Sequence, residues 1–429
     1  MATSSWGPRL SQSPVPAGED GRSRALPAAS PQPPRSRHDF AVVIVCAVPL
    51  EYDAVSLLFD LWWRGPSDRA SVSSSTSSSS SSYGKAAADT NTYAFGRIGH
   101  HNVALTLLPG MGKVNAAGAA MGIKASFPHL QLVLLPGVCG GVPRVRDSKH
   151  EILLGDVLIS DGVLQYDLGR QYPDGFVARA THRDRLARPN REIRTFLSTL
   201  GSQLGMERLQ ETSCNFLRDV QSAAKARGRR PCVYPGAAHD KLYRSDYRHR
   251  HHRGDPNCIC HGWRQSSDPV CEEAFVSPCT LTNCGDEALV QRHRLELRKL
   301  LESKDVCADT QGFAVFMGRF ASGDTVMKSA EDRDRIAAAE QVIAFEMEAA
   351  GLWDELHCIV LKGVCDYADS HKSKGWQDFA AATAAATTKA ILELFLPTDS
   401  VSYESSVEKW DVRSSPQPSR VLHGKPCKS

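Results

Sequence analysis

Continuous apolar runs recur along this chain and alternate with stretches of helical periodicity. "AVVIVCAV", Ala41 to Val48, is apolar and β-branched throughout, the pattern of a strand covered on both faces. "TYAFGRIGHHNVALTLL", Thr92 to Leu108, predicts two strands about a Gly/His/Asn turn. "KVNAAGAAMGIKASF", Lys113 to Phe127, predicts a helix of small residues, and "LQLVLLPGVCGGV" a buried strand ending in glycines. Further strands fall in "GDVLISDGVLQYDLG", Gly155 to Gly169, in "GRFASG" and in "CIVLKGVC". Asp332–Gln341 predicts a helix, and Trp376 to Phe395 a final one of strong Ala propensity. Strands alternating with helices define an α/β protein with a mixed or largely parallel sheet.

Other segments lack such periodicity. Residues 1–38 (Pro, Ser, Ala and Arg) and the polar residues 397–429 are expected to be disordered. The serine tract Ser71–Ser82 marks an insertion at 66–90, and an Arg/His-rich region with scattered cysteines marks a second at 185–310. That second insertion is expected to be irregular, with some helix near Leu295–Ser303. The folded domain is then expected over 39–396.

With 429 residues, 51 basic against 48 acidic, the chain carries a formal charge of +3. That balance predicts neither nucleic acid nor an anionic membrane as partner. No apolar run approaches the roughly 20 residues of a membrane span. Thirteen cysteines, several inside apolar runs, suit a reducing, cytoplasmic setting better than a disulfide framework. The N-terminus lacks an apolar signal core; its Arg and Ser leave a transit peptide open.

Ligands of α/β sheets bind beyond the carboxyl ends of strands. Glycine- or carboxylate-bearing segments fall at such ends: Cys46–Glu51, Pro109–Lys113, Gly137–Gly141, Ser322–Asp324 and Cys365–Asp369. In "AFEMEAAGLW", Glu346 and Glu348 enter a helix that is otherwise apolar. Carboxylates are rarely buried without a partner, so either a ligand or the helix start holds them.

In this order, "CAVPLE", "GMGKVNAA", "PGVCGGV", "LGDVLISDGVLQYDLG", "ASGDTVMKS", "FEMEAAGL" and "GVCDYADSHK" resemble the nucleoside phosphorylase / nucleosidase superfamily. The likeness is nearest to fungal nucleoside-phosphorylase-like domains, and more distant to 5′-methylthioadenosine/S-adenosylhomocysteine nucleosidases. It covers about Asp39–Leu396 outside the insertions. It implies a three-layer α/β/α fold around a mixed, partly closed sheet, and cleavage of a ribose–purine bond without a cofactor.

Breaking that bond makes the sugar cationic and the base anionic, so carboxylates on either side of the sugar divide the work. Asp366 follows an apolar strand and is the candidate acid; the resemblance implies protonation of purine N7. It further implies that Met347 and Glu348 hold the ribose and that Glu51 activates water. Glu346 is then a supporting residue. Ser322, Asp324 and Val326 fall where relatives line the base pocket, with a structural role for Asp324 equally open. Gly110, Gly112 and Lys113 form a turn at a helix N-terminus suited to water or an anion, and Gly140 and Gly141 a close-packed strand end. Tyr166 and Trp376 are expected in the core.

Neither "CAVPLE" nor "GMGK" supplies an arginine for phosphate, which favours hydrolysis over phosphorolysis; Arg97 or a neighbouring copy is the alternative source. The expected partner is a purine nucleoside or nucleotide, with phosphate as alternative co-substrate and homo-oligomerisation left open. A nucleotide-sensing module without turnover is the rival reading. In the second insertion, His249, His251 and His252 precede Cys258, Cys260, His261, Cys271, Cys279 and Cys284. Zinc needs about four ligands at workable spacing. Cys258 and Cys260 lack the usual two-residue gap, so the segment is read as a disordered loop and no metal is assigned, with zinc at Cys258 and Cys260 or contact with an acidic partner as the alternatives.

Overall fold

The computed structural model describes residues 31–64, 83–144, 151–173, 175–179, 186, 188–253, 256–265, 268–304 and 311–398. Of the segments expected to be disordered, 1–38 and 397–429, residues 1–30 and 399–429 lie outside those described, as does the serine tract; Ser36 caps a short turn of helix at Arg37–Asp39.

A nine-stranded mixed sheet forms the centre. Its strands are β1 (Val42–Cys46), β2 (Leu61–Trp63), β3 (Tyr93–Ile98), β4 (His101–Leu107), β5 (Leu132–Gly141), β6 (Val157–Gln165), β9 (Val315–Ser322), β10 (Val342–Glu346) and β11 (Cys358–Asp366); β7 (Gly169–Tyr172) and β8 (Gly175–Ala178) make a separate hairpin. The order is β10-β9-β6-β11-β5-β1-β4-β3-β2, and β10 also pairs with β5. That extra antiparallel pairing closes β5, β11, β6, β9 and β10 into a ring, so the sheet is partly closed as expected.

The apolar runs become the innermost strands. All five residues of β1 are buried, as are the first eight of β11. Alternation along β11 sets two faces. Gly363 lies against the backbone of α10 (Gln377–Leu394), where a Cβ would meet the Ala380 carbonyl at 2.0 Å. Lys362 points the other way. Helix α10 is so enclosed that thirteen of its residues are buried. The hydroxyls of Thr383, Thr387 and Thr388 donate to carbonyls three or four residues back, which satisfies them inside the core. Trp376 and Tyr166 are buried, as expected of core aromatics.

The second insertion corrects the expectation of irregular chain. Helices α3 (Arg191–Leu200) and α4 (Gln203–Ala226) occupy its first part, and α4 packs along α10. Asn190 and Ser202 cap them by accepting from Ile193 N–H and Gly205 N–H. Their buried faces, Ile193/Leu197/Leu200 and Leu209/Leu217/Val220/Ala224, keep helical spacing. The short helices α5 (Glu272–Val276) and α6 (Cys279–Thr282) follow, then α7 (His293–Ser303) where helix was expected.

Candidate functional site

Strand β5 changes neighbour part-way along its length. Val42–Ile44 of β1 pair with Leu132–Leu134, and β10 takes over at Gly140 and Gly141. Between them that edge of β5 has no strand beside it among the described residues. The carboxylate of Glu51 reaches into this gap: Val138 N–H donates to its Oε1 at 2.8 Å. Its Oε2 accepts from Ala47 N–H (2.9 Å) and Val48 N–H (3.2 Å) at the start of α1 (Pro49–Ser56). Glu51 is thus both a helix-entry residue and the group at the switch point of the sheet.

Lys362 joins this carboxylate to a second. On β11 it stands opposite Gly137 of β5. A Cβ on Gly137 would lie 2.3 Å from Glu51 Oε1 and 2.9 Å from Lys362 Nζ, so both side chains crowd that one position. Lys362 Nζ is 3.3 Å from Glu348 Oε2 and 3.9 Å from Glu346 Oε2, and the ammonium is fully buried. Burial works to lower the Lys362 ammonium, but Glu348, Glu51 and Glu346 outweigh it and raise it above its ordinary value. Burial likewise raises the Glu51 carboxyl, with Lys362 opposing and Glu348 assisting. Glu346 is raised for the same first reason.

The two glutamates of "FEMEAAG" divide as their hydrogen bonds dictate. Glu346 ends β10 and accepts from Glu348 N–H (3.0 Å) and Ala349 N–H (2.9 Å), closing the entry to α9 (Ala349–Trp353). Glu348 faces Lys362 and accepts from Gly112 N–H at 3.4 Å. Met347 between them is half-buried.

Asp366 is four residues beyond Lys362 on β11 and pairs in register with Gly140 after a bulge. Its Oδ1 accepts from Ala368 N–H (2.8 Å) and lies 3.2 Å from Lys372 Nζ. A Cβ on Gly140 would sit 2.9 Å from that same oxygen. Gly141 is packed against Val364 instead. One β5–β11 ladder therefore positions Glu51, Glu348 and Asp366 through Gly137, Lys362 and Gly140.

Other expected residues have different surroundings. Lys113, first in α2 (Lys113–Ser126), pairs with Asp167 at 2.5 Å and with Asp324 at 3.6 Å. Its backbone N–H donates to Asp324 Oδ1 (2.8 Å), and Asp324 N–H to Asp167 Oδ2 (2.8 Å). Burial opposes the shift, yet Lys113 and the Asp324 amide lower the Asp167 carboxyl. The turn is thus occupied by protein carboxylates, with Gly110 beside Asn115 and Gly112 at φ +108° over Asp324. Ser322 is fully buried, and its Oγ accepts from Ala350 N–H (2.9 Å), which braces α9. Val326 is 47% exposed. Arg97 Nε donates to Gly99 O at a distal hairpin (2.8 Å).

Lys362, Lys372 and Asp167 carry part of this site without having been singled out in the sequence. For Lys362 the signal was present: a cation inside an otherwise apolar strand requires a partner.

No family model matches the chain. It is 28% identical over 381 residues to a nucleotide-binding leucine-rich repeat (NLR)-like protein from Hyaloscypha variabilis. The match takes in 87% of this chain and 31% of the relative, so the chain spans about a third of that protein's length. Among solved structures, 5′-methylthioadenosine/S-adenosylhomocysteine nucleosidase from Neisseria meningitidis is 16% identical, with 82% of this chain and 99% of that one covered and a TM-score of 0.39. The same enzyme from S. pneumoniae gives 15%, 82%, 98% and 0.42. Futalosine hydrolase of Helicobacter pylori gives 15%, 84%, 100% and 0.40. At such identities the chain's activity has to be argued from its own residues. Among the described residues no helix is long and apolar enough to cross a membrane.

Proposed function

We propose that the chain cleaves the N-glycosidic bond of a purine nucleoside or related nucleotide by hydrolysis. Glu348, with Met347, holds the ribose hydroxyls; Asp366 protonates the departing base; Glu51 activates water. The observation that carries this reading is the convergence of Glu51 and Glu348 on Lys362 at the β5 switch point, with Asp366 farther along the same ladder. A carboxyl raised by burial is a more effective proton acceptor near neutral pH than an ordinary one. The carboxylates around Lys113 favour water over phosphate, because an incoming anion would meet Asp167 and Asp324. Ser322 braces α9 in this reading, and Asp324 orders the 110–113 turn.

Incubating the purified protein with a panel of purine nucleosides and nucleotides, with and without phosphate, tests this by chromatography of the products. Free base and free ribose without phosphate are expected. Asp366→Asn should lower base release by about 100-fold or more while leaving the melting temperature near wild type. Near-native turnover by that variant would remove Asp366 from the mechanism. Ribose 1-phosphate formed only with phosphate would replace hydrolysis by phosphorolysis.

One observation favours a second reading, a nucleotide-sensing module. The matched relative is NLR-like and about three times longer than the match. Ligand-induced thermal stabilisation without any base release across the panel would decide for it.

A further inference from the structure

We propose that residues 249–284 and His371 bind two zinc ions, one at His249, Cys279, Cys284 and His371 and one at His251, Cys258, Cys260 and Cys271. Within each group one ligand atom per residue lies within 4.8 Å of all the others. The distances are those of tetrahedral edges. Zinc–sulfur bonds of about 2.3 Å and zinc–nitrogen bonds of about 2.0–2.1 Å set sulfur–sulfur edges near about 3.8 Å and sulfur–nitrogen edges near about 3.5 Å. In the first group, Cys279 Sγ is 3.6 Å from both His249 Nδ1 and His371 Nδ1, and Cys284 Sγ is 3.3 Å from His249 Nδ1. In the second, Cys260 and Cys271 sulfurs are 3.7 Å apart, unbonded, and His251 Nδ1 is 3.6 Å from Cys258 Sγ and 3.3 Å from Cys271 Sγ.

The rings of the first group are set as metal ligands require. His249 Nε2 lies 2.9 Å from Ser277 O, and His371 Nε2 lies 2.8 Å from Tyr247 O. A carbonyl accepts only from N–H, so each Nε2 carries a proton, and in the neutral ring this leaves Nδ1, which faces the sulfurs, as the metal-binding nitrogen. His371 is further fixed by stacking on Tyr243, with ring centres 4.0 Å apart.

Among the described residues the segment also has little apolar cohesion of its own. Its own buried cluster is Cys260, Val270 and Ala274, with Trp263 packed beside it. So small a core does not hold a chain that is mostly turn and short helix, whereas metal ligation does. The ligands interleave, since His249 and His251 are two residues apart and serve different sites. Cys258 and Cys260 find their partners in His251 and Cys271, outside any short-spacing pattern, which favours the zinc alternative over a disordered loop.

Three ligands of the first site belong to the insertion, while His371 follows the β11 end, next to Lys372, whose ammonium pairs with Asp366. His249 N–H also donates to Ser370 Oγ at 3.0 Å. Zinc here would clasp the insertion to the loop that surrounds Asp366. The metal assignment itself does not depend on the proposed reaction.

Metal analysis by mass spectrometry of the full chain, expressed with zinc and purified without chelator, should find two zinc ions per molecule. Cys284→Ser and Cys260→Ser should each lower this to one. Cobalt exchanged for zinc should give the intense visible bands of tetrahedral thiolate sites, more intense in Cys284→Ser than in Cys260→Ser. Wild-type protein that is folded and holds one zinc or none, or whose cysteines in these groups form disulfides by thiol counting, overturns the two-site assignment whether or not the variants fold. Hydrogen exchange tests the clasp: residues 367–372 should lose protection in Cys284→Ser and keep it in Cys260→Ser. Equal protection in both variants would refute it.

Discussion

The carboxylate cluster and the Cys/His insertion hold polar groups together in opposite ways. Around Lys362, the strands are fixed first by apolar burial, and the sheet then forces three glutamates toward one ammonium. Among the described residues of 249–284 the buried apolar cluster is small, and the proposed metal ligation would organise the chain. The first arrangement costs stability, because burial of charge is unfavourable unless the pairing is good. The second, as proposed, would supply it. On the proposed readings, chemistry would sit where the fold tolerates a cost, and metal ligation where the fold offers little cohesion.

The comparison is broken most readily at Lys362. Lys362→Met should destabilise the protein by about 3–5 kcal/mol at pH 7.5, since it strands buried carboxylates without a counter-charge. The sign with pH follows from the shifts. Carboxyls whose folded values lie above their unfolded ones make stability fall as pH rises past the unfolded value. Removing Lys362 enlarges that upward shift, so the loss should shrink markedly between pH 7.5 and pH 5. The raised Lys362 ammonium adds stability that persists below its ordinary value and disappears only as pH climbs through the folded one. Urea melts at the two pH values measure this; an equal loss at both would mean that Lys362 serves packing alone.

A smaller effect is expected at Gly137. Gly137→Ala places a Cβ against Glu51 and Lys362, and should cost about 1–3 kcal/mol as those side chains shift. It should also reduce base release more than a remote substitution of equal cost, read as kcal/mol from urea melts against turnover. Equal effects would separate the switch point from the chemistry.

The smallest effect probes the insertion's first helices. Asn190→Ala removes the cap of α3 and should cost about 1 kcal/mol. No change in the cooperative melt would show that α3 unfolds independently of the sheet, placing it with the ligand-held region rather than with the core.

What was legible in the sequence follows the same division. Buried strands such as Val42–Cys46 and Cys358–Asp366 are written as apolar runs, the second broken only by Lys362 before its terminal Asp366, and the carboxylates at their ends stood out because their neighbours are mostly apolar. Lys362 was absorbed into its strand, since apolar patterning suppresses a single exception. Helices α3 and α4 carry regular spacing, yet the Arg/His-rich composition around them masked it. Joining His249 to His371 requires knowing how β11 and the insertion approach each other, and that juxtaposition is created by tertiary folding alone.

The closure of β10 on β5 has one more effect. A sheet of this size would ordinarily present two lateral rows of unpaired amides and carbonyls. With one margin consumed internally, the other is β2, three residues long, with Leu61 and Trp62 partly open to solvent. For the central sheet, self-association by strand addition, or recruitment of an extended peptide, is thereby confined among the described residues to a narrow seam, apart from the separate β7–β8 hairpin.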